Sequence, residues 1–219
     1  MNTTISHHVS DGLLLNYSAG NLPEGFNIVI ASHLSVCDDC RARAESFDSI
    51  GGTILDIIEP VNMISFHQSL RATQELITAS NVPTNLPCSD IENDLLPAPL
   101  NNYVGDGINA IRWRPIGMGA KQSILSTSGS ATARLLFVPA GSSMPNHSHK
   151  GLEVTLVLKG ALIDGDKRFE PGDVQIIDND TNHSPIAGES DDCICLTATD
   201  HPLQFKSLMP RLLQPFLRI

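Results

Sequence analysis

Apolar residues recur at helical spacing up to about residue 80, and beyond about residue 103 they fall into short runs separated by Gly, Asp and Pro. Gly12 to Gly20 follows Val9-Ser10-Asp11, which predicts a short helix capped by Ser10 or Asp11 and stopped at Gly20. Asn21-Leu22-Pro23-Glu24 opens a second helix, with Pro23 suited to a first turn and Phe26, Val29 and Ile30 leading to His33. A third passes through Arg41, Ala44, Phe47 and Ile50 and is expected to end at Gly51-Gly52. Pro60 to Ser80 holds a fourth pattern, with Met63, Phe66, Leu70 and Ile77 on one stripe that either packs on the first three helices or belongs partly to a partner. From Thr78 to Asn102 the chain turns to Asn, Pro, Ser and Asp, including Pro83, Pro87, Pro97 and Pro99, which reads as a linker.

The second half has β texture. Ala133–Val138, Glu153–Leu158, Val174–Ile177 and Cys193–Leu196 are β-rich runs at near-regular spacing, the pattern of a sandwich or barrel.

The 219 residues, 41% of them apolar, suffice for one large or two small domains, and two is the preferred reading. Met1-Asn2-Thr3-Thr4 leads into no basic-then-apolar signal and no 18-residue apolar run is present, so a cytoplasmic protein without a membrane span is expected. Five scattered cysteines, Cys37, Cys40, Cys88, Cys193 and Cys195, are not a secreted disulfide framework. The net charge of −10 is uneven: residues 1–90 hold three Lys or Arg against ten Asp or Glu. An acidic first half is repelled by a phosphate backbone, so direct DNA binding is not expected; a regulator of this kind would act by holding a protein.

Within Ala31-Ser32-His33-Leu34-Ser35-Val36-Cys37-Asp38-Asp39-Cys40, helical spacing puts His33, Cys37 and Cys40 on one face, within roughly 60° of arc. Imidazole with two thiolates suits tetrahedral Zn²⁺, and a closed structural site needs a fourth ligand, which His7 or His8 can supply. A thioredoxin-like redox pair would follow a strand in a βαβ unit, and none precedes Cys37. Three short helices make a small core, so zinc would act as their staple.

In Gly141-Ser-Ser-Met-Pro-Asn-His147-Ser-His149-Lys-Gly-Leu-Glu153, the two histidines alternate on one strand and so share a side, and Glu153 joins them from the next strand. His183 is expected as a fourth ligand. The spacing of Gly141, His147, His149, Glu153 and Gly160 is similar to the first motif of the cupins. The second motif departs: Asp178, Asp180 and Ala187 stand where cupins usually have Pro, Gly and Asn, although Gly172 and His183 remain in place. Cys193 and Cys195 share one strand face, either as small buried hydrophobes or as redox candidates.

Both halves together resemble the ChrR-type zinc-binding anti-sigma factors with a cupin sensor domain. The likeness is carried by His7-His8-Val9-Ser10-Asp11, by His33 to Arg43, by Tyr103-Val104-Gly105, Arg112-Trp113-Arg114, Gly151 to Leu158, Asp192 to Leu196 and Leu212-Leu213-Gln214-Pro215. Residues 53–100 match it only in helical character. The fold class is therefore α+β and multidomain: residues 1–80 a zinc-stapled helical bundle of three helices plus a fourth, 81–102 a linker, and 103–219 a cupin β-barrel or jelly roll. The resemblance implies His8, His33, Cys37 and Cys40 on one Zn²⁺ and His147, His149, Glu153 and His183 on a second. It further implies an extracytoplasmic-function-type sigma factor as partner, released when the cupin senses singlet oxygen or an organic hydroperoxide. The competing class is a metal-dependent cupin enzyme, a dioxygenase or isomerase; the helical half with its two cysteines and histidine is what such an enzyme has no reason to carry.

Overall fold

The structure, a computed structural model, describes residues 4–59, 65–79, 96–105, 108–148, 150–178 and 181–205. One compact unit comprises Met1–Ser49 together with Asp94–Ile219, and a second comprises Ile50–Asn93.

In the first unit, α1 (Asp11–Ser18) is capped by Ser10, whose Oγ accepts from the Leu13 amide at 3.4 Å. The second helix, α2 (Glu24–Leu34), follows Pro23 and is apolar on most sides: Phe26, Ile28, Val29, Ile30 and Leu34 are all buried. At its start the Glu24 carboxylate accepts from the Ser128 hydroxyl, the Tyr103 hydroxyl and the Ser128 amide, which hold its pKa down at about 2. Helix α3 (Asp38–Ile57) does not stop at Gly51-Gly52. Neither glycine adopts the left-handed conformation that a helix stop uses, so the two act only as weak helix formers within a continuing helix. The stretch read as linker is described only at its ends. Residues 80–95 lie outside the described residues, while a 3₁₀ turn at Ala98–Leu100 and α5 (Asn101–Val104) follow, with Leu96 and Leu100 buried.

The strands are β1 (Arg114–Gly117), β2 (Ala120–Ile124), β3 (Thr132–Val138), β4 (His147–Ser148), β5 (Glu153–Lys159), β6 (Leu162–Asp164), β7 (Lys167–Phe169), β8 (Val174–Ile177), β9 (Ile186–Ala187), β10 (Cys193–Thr199) and β11 (Gln204–Phe205). An antiparallel six-stranded sheet runs β1-β2-β3-β10-β5-β8, beside a three-stranded sheet β7-β6-β9 and the pair β11-β4. Strands β3, β5 and β10 are largely buried on both faces, and alternation sends successive side chains to two different interiors. Ala133, Leu135, Val154, Leu156, Leu196 and Ala198 face the core shared with α2. Their neighbours Arg134, Leu136, Glu153, Thr155, Cys195 and Thr197 line an interior cavity of about 230 Å³. This is the β-barrel interior expected of a cupin.

The second unit contains the end of α3, from Ile50, and α4 (Phe66–Ala79), while Pro60 to Ile64 of the predicted fourth pattern lie outside the described residues. Among the described residues no helix is long and apolar enough to cross a membrane.

Candidate metal centres

The first centre is assembled from three places in the chain. The His33 carbonyl, at the end of α2, accepts from the amides of Val36 and Cys37, a tight turn that sets Cys37 beside His33 and leads Cys40 into the first turn of α3. His8 arrives from the extended segment ahead of α1, with its Nδ1 3.4 Å from Cys37 Sγ and 3.6 Å from Cys40 Sγ. Ligand atoms of His8, His33, Cys37 and Cys40 all lie within 4.8 Å of one another. Of the two adjacent histidines it is thus His8 that joins the cluster. His7 turns instead to Asp173, at 3.3 Å, and packs its ring 4.4 Å from that of Phe169.

The turn before β8 holds this centre from outside. The Gly172 carbonyl accepts from His33 Nδ1 at 2.9 Å, fixing the tautomer whose lone pair is on Nε2. That Nε2 is buried and has no hydrogen-bond partner, the state expected of a nitrogen reserved for a cation. The Asp173 carboxylate accepts from the amides of Ser6 (2.7 Å), His7 (2.9 Å) and Glu170 (2.9 Å), and the Val174 amide donates to the His7 carbonyl at 3.0 Å. Burial pushes the Asp173 carboxyl up, but the amides of Glu170, His7 and Ser6 outweigh it and hold the group below its ordinary value. Gly172 has φ +96°, and a Cβ there would sit 2.8 Å from Ile5, so only glycine lets the segment lie this close.

Burial depresses the His33 pKa against the opposing Gly172 carbonyl, which keeps the imidazole neutral as a ligand must be. Burial likewise raises the Cys40 thiol, partly offset by the Val9 amide, so a nearby cation would convert it to the ligating thiolate. Two imidazoles and two thiols in this arrangement could hold a metal ion, and the donor set fits a tetrahedral, borderline-soft one.

At the barrel, His147 and His183 form an antiparallel bridge, with ring centroids 4.3 Å apart. His147 Nδ1 donates to the Pro145 carbonyl at 2.8 Å and His183 Nδ1 to Asp164 Oδ2 at 2.8 Å, so both tautomers carry the lone pair on Nε2. Burial holds His147 down at about 4 and lifts Glu153, at the start of β5, to about 7 despite the Thr155 hydroxyl and the Arg134 guanidinium. His149 lies outside the described residues. Among the described residues His8, His33, Cys37 and Cys40 are the group placed to hold a metal ion, and His147, Glu153 and His183 do not form such a group by themselves.

Asp164, Asp173 and Gln175 surround the candidate ligands but are not legible as site residues in the sequence, whereas Gly172 is a retained position of the second cupin-like motif. Cys193 and Cys195 are both buried, with Sγ atoms 3.4 Å apart. The Cys193 thiol and burial push Cys195 well above its ordinary pKa, which favours the unreactive thiol form. Cys88 lies outside the described residues.

A small helical group of candidate metal ligands packed against a cupin-like barrel sets this protein apart from a bare barrel. The family model described as the ChrR cupin-like domain matches residues 105–202. The anti-sigma-E factor ChrR of Cereibacter sphaeroides is 47% identical over 216 residues, spanning 99% of this chain and all of that protein. The crystal structure of Rhodobacter sphaeroides SigE in complex with the anti-sigma ChrR includes a chain that matches with 44% identity and a TM-score of 0.75, covering 90% of this chain and all of that one. The protein belongs to the ChrR family of anti-sigma factors.

Proposed function

We propose that this protein sequesters an extracytoplasmic-function-type sigma factor in the cytoplasm and releases it when the cupin barrel perceives oxidative stress, as singlet oxygen or an organic hydroperoxide, and so acts as a negative regulator of transcription. On this reading both metals are Zn²⁺, held by His8, His33, Cys37 and Cys40 and by His147, His149, Glu153 and His183, and neither performs catalysis. The full-length similarity to an anti-sigma factor supports the partner class. The observation that carries the reading is the apolar surface of the second unit. Ile54, Leu55 and Ile57 at the end of α3, Ile58 just beyond it, and Phe66, Leu70, Leu76 and Ile77 on α4 are all exposed, a concentration a monomer has no reason to offer water. Asp56 and Glu59 lie among them, suited to the basic regions of a nucleic-acid-binding partner.

The test is co-expression with such a sigma factor, followed by copurification and titration of the complex. Burying one Leu or Ile side chain contributes about 1.5–3 kcal/mol, so Leu55→Asp with Ile58→Asp should weaken capture at least about 100-fold. The melting temperature should be unchanged, because both side chains are exposed in the free protein. Equal capture by the double variant would refute this surface as the docking face.

A further inference from the structure

The two candidate centres are joined by a short run of contacts that neither centre needs for its own ligand set. From the barrel side, His183 donates to Asp164 Oδ2 at 2.8 Å, and Gln175 on β8 donates to the same oxygen at 2.6 Å. Two residues back along the chain, Asp173 holds the amides of Ser6 and His7 and so places His8, and Gly172 receives His33 Nδ1. Strand β8 is the edge of the six-stranded sheet, paired to β5 on one side. Beside its first residue lies the His7 segment, bonded through the Val174 amide.

We infer that β8 and the Gly172–Asp173 turn leading into it form a coupling element, through which metal occupancy in the barrel sets the affinity of the helical centre for its own metal. The inference rests on the two-centre reading above. The physical case is that the outer shell of each centre ends on the same edge strand. A cation on His183 fixes the imidazole, the imidazole fixes Asp164, and Asp164 fixes Gln175. An immobilised β8 in turn presents the Gly172 carbonyl and the Asp173 carboxylate in the positions that hold His33 and His8. Loss of such outer-shell partners typically costs 10–100-fold in metal affinity. Because the coupling is a linkage, it is reciprocal: metal on the cysteines must tighten metal in the barrel by the same factor. Asp173 and Gln175 are positioning residues in this scheme, since neither touches the ion.

The test uses the full-length protein and Co²⁺, whose thiolate charge-transfer band reports the cysteine-bearing centre alone. Affinity at that centre is measured by chelator competition in the wild type, in His147→Ala, which keeps the barrel empty, in Gln175→Leu, which severs Asp164 from β8 while sparing every ligand, and in Asp173→Asn. The expected result is an affinity at least about fivefold lower in His147→Ala than in the wild type. Gln175→Leu should show the same loss while still binding two equivalents of metal. Asp173→Asn should lose about 10–100-fold and shift the cobalt d–d bands, with unchanged far-UV circular dichroism. Wild-type affinity in both His147→Ala and Gln175→Leu overturns the coupling, and these two decide the matter if Asp173→Asn does not fold. Absence of a charge-transfer band in the wild type overturns the cysteine centre itself and the coupling with it, an outcome distinct from a band whose strength and affinity ignore the barrel.

Discussion

Glu153 offers the sharpest quantitative test of the barrel as a cation site. Its carboxyl is buried at the start of β5, and burial raises its pKa from the usual 4.5 to about 7. A carboxyl raised on folding binds more protons in the folded than in the unfolded chain between those two values. Its contribution is therefore fully present below pH 4.5 and is lost as pH rises through about 7. At about 1.36 kcal/mol per pH unit the loss amounts to about 3 kcal/mol by neutral pH in the metal-free protein. Glu153→Gln removes the ionisation while keeping the shape. The chelated variant should match the chelated wild type near pH 4.5 and exceed it by about 3 kcal/mol at pH 7.5, or about 6–12 °C in melting temperature for a chain of this size. His147, depressed to about 4, works in the opposite direction, gaining stability as pH rises from 4 towards 6.5, but it does so in both proteins and drops out of the difference. Adding Zn²⁺ at about a thousandfold excess over Kd should reverse the order, because only the wild type gains the binding free energy of an intact barrel site, about 4.1 kcal/mol at that excess against a deficit of about 3. Thermal melts from pH 4.5 to 8, with chelator and with Zn²⁺, give all four curves. Parallel wild-type and variant curves in chelator would refute the argument, for Glu153 would then carry no buried charge to be relieved.

Other outcomes follow from packing and thiol chemistry. A Cβ at Gly25 would meet the Ala131 carbonyl oxygen at 2.9 Å, so Gly25→Ala should lower stability by about 1–3 kcal/mol in denaturant titration, whereas Gly12→Ala, with open space around it, should raise it by about 0.5–1 kcal/mol. Cys193 and Cys195 should react with a thiol reagent only after unfolding, since both are buried and Cys195 is held as the thiol; rapid labelling of the folded protein would contradict this. Cys37→Ser should release one equivalent of metal by elemental analysis and abolish the cobalt charge-transfer band, because it removes one of the two thiols in the cluster.

The local signals in the sequence carried far where the chemistry was local. Ser10 caps α1, Pro23 stands just before α2 rather than within its first turn, and the β-rich runs became β3, β5, β8 and β10. Gly51-Gly52 misled because a stop signal depends on a left-handed glycine, which composition does not reveal, and the helix simply continues to Ile57. Pro97 precedes a 3₁₀ turn rather than extending a linker, and Leu100 is buried there by residues remote in sequence. The choice between His7 and His8 was open for the same reason. It turns on Asp173, 166 residues away, which captures His7 and leaves His8 facing the thiols. Asp164 escaped notice because its role depends on the fold bringing it to His183.

Helix α2 has one more lesson, for anyone wishing to work with the helices alone. Its greasiest side chains lie under β3, β5 and β10, so cutting away the barrel strips a roof from Phe26, Ile28 and their neighbours and bares them to solvent. A truncated fragment would then tend to clump in storage unless some other protein lay over that face, and its yield would depend on what it was made alongside.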